Sequence, residues 1–295
     1  MLGAGCTKET SEYDVGVAAY KRGHYQVAMS DFDKRANQRD PVAEFCLGFM
    51  YNNGKGVDKD TEEAKEWYGR SIRRNYAPAL NNRGVMYVRR YESIVRDLPE
   101  FAEEQITKAV KSFREAAEQG NSTAQYNLGI LINRGYGADG STKTPAEWIE
   151  LAASQGYVPA QNKLAQLYQY GLWGVGKHLG KAVEWYTKAT SSNWRGNGYP
   201  LAQHNLATMY YYGQGLTQDF DTAIELFWDA SSQDLPSAKY FIGLMYHNGE
   251  GPQKISKKLL IGIRRHQNEV QLPLNLPLPE CTIKVTEYRG TLKKL

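Results

Sequence analysis

Residues 43–68 read AEFCLGFMYNNGKGVDKDTEEAKEWY. Small or apolar side chains stand at Ala43, Leu47, Gly48, Met50 and Tyr51, and these offsets of 0, 4, 5, 7 and 8 fall on one helical stripe. Gly54 and Gly56 follow, and then a second apolar pattern at Ala64, Trp67 and Tyr68. Glycine supplies the positive φ that stops a first helix. The stretch therefore predicts a helix, a tight turn and a second helix. Gly48, with no side chain, lets the second helix come close. Asp58 and Asp60 lie in the turn, and helix N-capping is enough to explain Asp60.

The pattern recurs. Segments with the same spacing begin at Ala43, Ala79, Ala124, Ala160, Ala202 and Ala238. Their sixth residues are Gly48, Gly84, Gly129, Ala165, Ala207 and Gly243, spaced 36, 45, 36, 42 and 36. The base period is 36 residues, with one insertion of nine and one of six. Second-helix patterns follow at Ala109/Phe113/Ala116, Trp148/Ala152, Ala182/Trp185/Tyr186/Ala189 and Ala223/Phe227/Ala230. A two-helix unit cannot bury its own stripe, so such units stack on one another. The second unit departs from the pattern: VRRYESIVRDLPEFAEEQI replaces its glycine turn. The sixth departs after Gly251, where the Trp-Tyr helix is missing.

Composition narrows the field. The 295 residues are 41% hydrophobic and 23% charged, ordinary for a globular chain. No apolar run approaches the roughly 18–20 residues that span a bilayer. A net charge of +4, with the signs interspersed, is too weak for a nucleic-acid footprint. Three cysteines do not make a disulfide framework for this length. The 21 tyrosines stand out. Tyr51, Tyr87, Tyr168, Tyr210 and Tyr246 share one offset and are expected as a core column.

The string A-x-x-x-L-G-x-x-Y-x-x-G-x-G-V-x-x-D-x-x-x-A-x-x-W-Y at residues 43–68 resembles the Sel-1-like repeat, a relative of the tetratricopeptide repeat. The resemblance extends over roughly 43–251. Upstream, Ala19-Tyr20, Gly23, Tyr25, Ala28 and Phe32 resemble a shortened leading unit. The resemblance implies an all-α, right-handed superhelical solenoid of helix-turn-helix repeats, and a non-enzymatic module that binds another protein in its concave groove. Three segments are expected: a tether over 1–12, repeats over 13–252, and a C-terminal cap with an extended tail over 253–295. In that tail Ile255–Arg265 reads as one amphipathic helix, and Pro273, Pro277 and Pro279 favour extended chain.

With offsets 0, 4, 7 and 8 buried, offsets 2, 6 and 9 are expected on an open face. Offset 2 carries Phe45, Asn81, Tyr126, Asn162, His204 and Tyr240. Offset 6 begins with Phe49, and offset 9 includes Asn52, Asn133, Gln169, Tyr211 and His247. Aromatic, amide and imidazole groups suit adaptable recognition of a protein surface. The expected contact set is Phe45, Phe49, Asn81, Tyr126, Asn133, His204, Tyr211, Tyr240 and His247. Two insertions add to it. Arg89 and Arg90, with Arg83 and Arg96, suit an acidic partner. Trp194 and Arg195 sit in a loop of contact-site composition, residues 192–199.

No catalytic constellation is present. His24, His178, His204, His247 and His266 show no metal-ligand spacing, and no Cys-x-x-Cys occurs. His204 and His247 read as contact residues, not metal ligands. Gly54-Lys55-Gly56-Val57 lacks the Gly-Lys-Ser/Thr end of a phosphate loop. Neither cofactor nor metal is expected. Cys46 is expected to be semi-buried. Residues 3–6, Gly-Ala-Gly-Cys, resemble the end of a bacterial lipoprotein signal, with Cys6 as the lipidation site. Bacterial members of the resembled family often sit in the envelope, and some neutralise secreted effectors. The resemblance therefore implies a periplasmic, lipid-anchored immunity protein that blocks a type VI effector such as a phospholipase. An envelope or signalling scaffold is the alternative.

Overall fold

The structure, a computed structural model, describes residues 15–138, 143–192 and 197–250. The expected tether, Cys6, the loop residues Trp194 and Arg195, and the expected cap and tail lie outside the described residues. The fold class is all-α: thirteen helices and no strands occur among the described residues. The chain forms two compact units, Met1–Ala160 and Gln161–Leu295.

The first unit holds α1 (Val15–Lys21), α2 (Tyr25–Asn37), α3 (Pro41–Asn53), α4 (Thr61–Arg73), α5 (Ala77–Ile94), α6 (Pro99–Glu118), α7 (Ser122–Asn133) and α8 (Pro145–Ser154). Each packs on the next in chain order, and α5 also touches α7. That sequential packing is the solenoid arrangement, with α3, α5 and α7 as first helices of their repeats. Helix α9 (Val158–Tyr170) runs from the last residues of this unit into the second. The second unit continues with α10 (Leu179–Ser191), α11 (Pro200–Tyr212), α12 (Phe220–Ser231) and α13 (Pro236–Asn248), and α10 to α13 again pack in sequence.

Local chemistry sets the boundaries. Helix α3 stops at Gly54, whose φ of 61° places it in the left-handed region; Gly213 ends α11 in the same way. The second helices begin on capping side chains. Asp60 Oδ1 accepts from the backbone N–H of Glu62 and Glu63 at 2.9 and 3.0 Å. Thr144 and Glu147 form a reciprocal capping box, and Asp219 caps α12. His178 Nδ1 accepts from the Lys181 N–H at 3.1 Å, so this histidine is a helix cap. Asp60→Ala should lower stability by about 1 kcal/mol, read as a smaller urea midpoint.

The nine-residue insertion lengthens two helices. Without a glycine after Tyr87 the first helix has no left-handed stop and runs on to Ile94; Pro99 then opens the next at its first turn. Helices α5 and α6 have 18 and 20 residues, where α3 and α4 have 13 each.

Apolar clusters run along the helix pairs. Phe32, Phe45, Leu47, Met50, Trp67 and Tyr68 anchor one; Leu80, Phe113, Leu128 and Trp148 another; Ile224, Phe227 and Met245 a third, in the second unit. The tyrosines at the shared offset are only half-buried; Tyr51, Tyr87, Tyr210 and Tyr246 pack against these clusters. Cys46 is fully buried and disulfide-bonded, not semi-buried as expected.

Candidate functional site

The first helices need two buried faces, because each packs on its own second helix and on a neighbouring repeat. That corrects the expected open face. Phe45 is only 1% exposed, its ring 5.5 Å from Tyr68 and 5.7 Å from Tyr76. Asn81 is buried, and its Oδ1 accepts from Asn127 Nδ2 at 3.1 Å. Asn162 accepts from Asn205 in the same way at 3.0 Å. Tyr211 is buried as well, and its hydroxyl donates to Glu250 Oε2 at 2.6 Å. Gln169 is buried between Tyr186, which donates to it, and Gln214. Three of the six residues at offset 2 and two of the six at offset 9 are thus buried in protein.

Paired amides lock the helices together: the asparagine pairs join neighbouring repeats, and two glutamine pairs tie the two helices of one repeat. Beside the two asparagine pairs, Gln155 donates to Gln125 at 2.7 Å and Gln233 to Gln203 at 2.9 Å. A buried amide must be paired, so each pair fixes the register of one helix against another. The recurring strings Ala-Gln-Tyr-Asn at 124–127 and Ala-Gln-His-Asn at 202–205 carry this signal in the sequence. Polar residues at fixed offsets read there as contact groups; they are joints.

Other expected residues do reach the surface. In the first unit Arg89, Arg90 and Asn133 are exposed, and Arg89 and Arg90 make no ion pair among the described residues. Arg83 is separate from them. Its guanidinium donates to Ser112 Oγ at 3.0 Å and Glu115 Oε2 at 2.8 Å, which ties α5 to α6. Phe49 is half-buried and edge-on to Tyr20; Tyr126 is half-buried and edge-on to Tyr157. Burial pushes the Tyr126 hydroxyl up from its ordinary value.

In the second unit the aromatic side chains form a connected cluster. Phe227 and Phe241 stack at 4.9 Å, and His204 lies 5.3 and 5.4 Å from them. Tyr211 joins Phe241 at 6.0 Å and Tyr212 at 4.7 Å; Tyr240 lies 5.8 Å from Phe241. The outer ends of the cluster are open: Tyr212 is 56% exposed and Tyr240 49%. Tyr170, on α9, is 62% exposed. Tyr212 and Tyr170 escape an offset pattern because each lies one residue beyond its last position. His247 is exposed on α13. Among the described residues no group of three or more His, Cys, Asp or Glu is placed to hold a metal.

The sequence signature of the Sel1 repeat matches residues 41–76, 101–121, 122–157, 158–193, 200–233 and 236–257. The chain belongs to the Sel1 repeat family. Relatives include the ERAD-associated E3 ubiquitin-protein ligase component HRD3B of Arabidopsis thaliana, 27% identical over 77% of this chain and 36% of its own length. The uncharacterized protein NMB1327 of Neisseria meningitidis is 30% identical over 60% of this chain and 34% of its own. The chain thus spans about a third of the length of these curated relatives. A crystal structure of a Sel1 repeat protein from Oxalobacter formigenes superposes with a TM-score of 0.64 at 26% identity, covering 84% of this chain and 94% of that one. Sel1 repeat proteins are protein-interaction modules, scaffolds more than catalysts.

In this Sel1 protein His204 packs against the rings of Phe227 and Phe241. Burial holds its imidazole below the ordinary value of 6.5, and its buried Nδ1 has no hydrogen-bond partner. Protonation is then easier in the unfolded chain than in the folded one. Its contribution to stability is complete above pH 6.5 and is lost as pH falls from there towards the depressed folded value. The urea midpoint should therefore drop between about pH 8 and about pH 5.5, and His204→Phe should reduce that drop.

Proposed function

We propose that this Sel1 protein binds a single partner protein through the open aromatic side chains of its second unit, with the exposed Arg89 and Arg90 of the first unit as a further contact. The observation that carries this reading is the exposure of Tyr212 and Tyr240 at the ends of a cluster whose inner rings are locked by packing. Tyrosines held in this way contribute contact area at low entropic cost, as in binding hot spots. Phe49, Tyr126, Asn133 and His247 are the further contacts from the expected set. Phe45, Asn81 and Tyr211 act indirectly, by holding the helices that present them.

The partner in this proposal is a secreted antibacterial effector such as a type VI phospholipase, and the mechanism is occlusion of its active site. The Gly-Ala-Gly-Cys sequence at 3–6 supports a periplasmic place with a lipid anchor on Cys6. No helix among the described residues is long and apolar enough to cross a membrane. A second reading, a scaffold in an envelope or signalling complex, draws on relatives such as HRD3B and chitin synthase regulatory factor 3 of Schizosaccharomyces pombe, whose names mark them as components and regulators.

Affinity capture from an envelope fraction, with mass spectrometry, tests both. Wild type should retain one stoichiometric partner that Tyr212→Ala/Tyr240→Ala loses at unchanged urea midpoint. A toxin or lipase as that partner supports the effector reading, and a regulator or synthase supports the scaffold. Equal capture by the variant, or none by wild type, overturns the aromatic face as the site.

A further inference from the structure

We propose that the cavity between α5, α6 and the turn after α7 binds an apolar group bearing a cation, an aryl- or alkyl-linked guanidinium or ammonium. The cavity holds about 520 Å³, within the roughly 300–1,000 Å³ of small-ligand pockets. It exists because of the insertion. Residues 77–100 lie outside the family match, and they supply the Tyr91, Val95 and Pro99 side of the cavity. An insertion into a repeat array often adds a binding feature to one face.

The cavity is built and held open by specific contacts. Tyr91 and Tyr136 meet hydroxyl to hydroxyl at 2.7 Å, with the rings edge-on at 5.9 Å. Gly137 carries its carbonyl to Arg114 Nη2 at 2.7 Å, and its Cα lies so close to Val110 that a side chain has no space. Ile106 and Val110 give an apolar floor.

Charge decides the ligand. Glu103 is the sole ionisable acid or base, besides the two tyrosines, among the lining residues. It makes no ion pair among the described residues, whereas its neighbour Glu104 is paired with Lys108. The Thr107 hydroxyl is turned to the Glu103 carbonyl at 2.9 Å and leaves the carboxylate alone. Arg134 influences Tyr91 but does not line the cavity. An unpaired carboxylate beside an apolar wall and two aromatic rings suits a cation with an apolar body. One hydroxyl proton of the tyrosine pair is used between the rings, and the hydroxyl oxygens keep lone pairs that can accept from the N–H groups of the cation.

Benzamidine, benzoate and the blocked peptide acetyl-Ser-Phe-Arg-Ser-amide are the probes, read by amide chemical shifts of the full chain. Benzamidine should shift Gly135 and Gly137 saturably, and benzoate should not. Glu103→Gln should weaken benzamidine by about fivefold or more, and Thr107→Trp, which fills the cavity from an exposed position, should abolish it. Both variants should keep the wild-type urea midpoint. Stronger binding by the peptide assigns the cation to a side chain of a partner protein; binding by benzamidine alone assigns it to a free amine or amidine. Absence of saturable shifts, equal binding of benzoate, or full binding by Thr107→Trp overturns the proposal. None of these results depends on Tyr212 or Tyr240, so the partner reading stands or falls separately.

Discussion

Gly84→Ala should destabilise the first unit by about 2–3 kcal/mol, while Gly243→Ala, at the same place in its repeat, should stabilise by about 0.5–1 kcal/mol. Alanine is the better helix former at both sites, so propensity predicts a gain in each. Packing reverses the sign at one. A Cβ on Gly84 would sit 2.6 Å from Phe113 Cε1 and 2.7 Å from Cδ1. Phe113 is 2% exposed in the core of its cluster and has nowhere to move. At Gly243 no described atom lies within 4 Å of the corresponding point. Urea titration of the two variants checks the pair. A gain for Gly84→Ala would mean that close approach of α5 and α6 is not what holds that repeat.

Arg74→Met should cost about 3 kcal/mol, and adding Glu44→Gln should recover a large part of it. The Glu44 side chain is 2% exposed, and Arg74 Nε donates to both of its oxygens at 3.1 Å. The arginine side chain is 35% exposed, so it reaches in from the rim to meet a carboxylate in the core. Removing it leaves that charge buried and unpaired, the costly half of a buried ion pair. The neutral amide at 44 carries a much smaller desolvation cost. A double-mutant cycle by urea unfolding measures the coupling. Additive losses would show that the two side chains act independently.

Glu44 also shows where reading the chain runs out. It stands at offset 1 of the first repeat, beside the apolar stripe, where no local pattern marks it as buried. The structure buries it because α4 ends against the start of α3, which brings Arg74 within reach. The same holds for Gln125 and Gln203. Their offsets are plain in the sequence, but their partners, Gln155 and Gln233, come from the ends of second helices 30 residues away. Tyr211 reads as a contact residue until Glu250, 39 residues on, takes its hydroxyl.

The repeat, the two-helix unit, the glycine stops at Gly54 and Gly213, the cap at Asp60 and the need for a small residue at Gly48, Gly84 and Gly129 are all legible in the chain alone. Each of these is a local matter: helical spacing, left-handed φ, one capping oxygen, one missing side chain. Tertiary structure alone decided which polar face is open. A repeat helix is buried by its own partner and by its neighbours, and the second burial is set by contacts 43 and 46 residues apart in the chain. That long-range packing turned Phe45, Asn81 and Tyr211 inward and left Tyr212 and Tyr240 outside. It also drew α5, α6 and the turn after α7 around a cavity whose residues, from Tyr91 to Gly137, share no motif in the sequence.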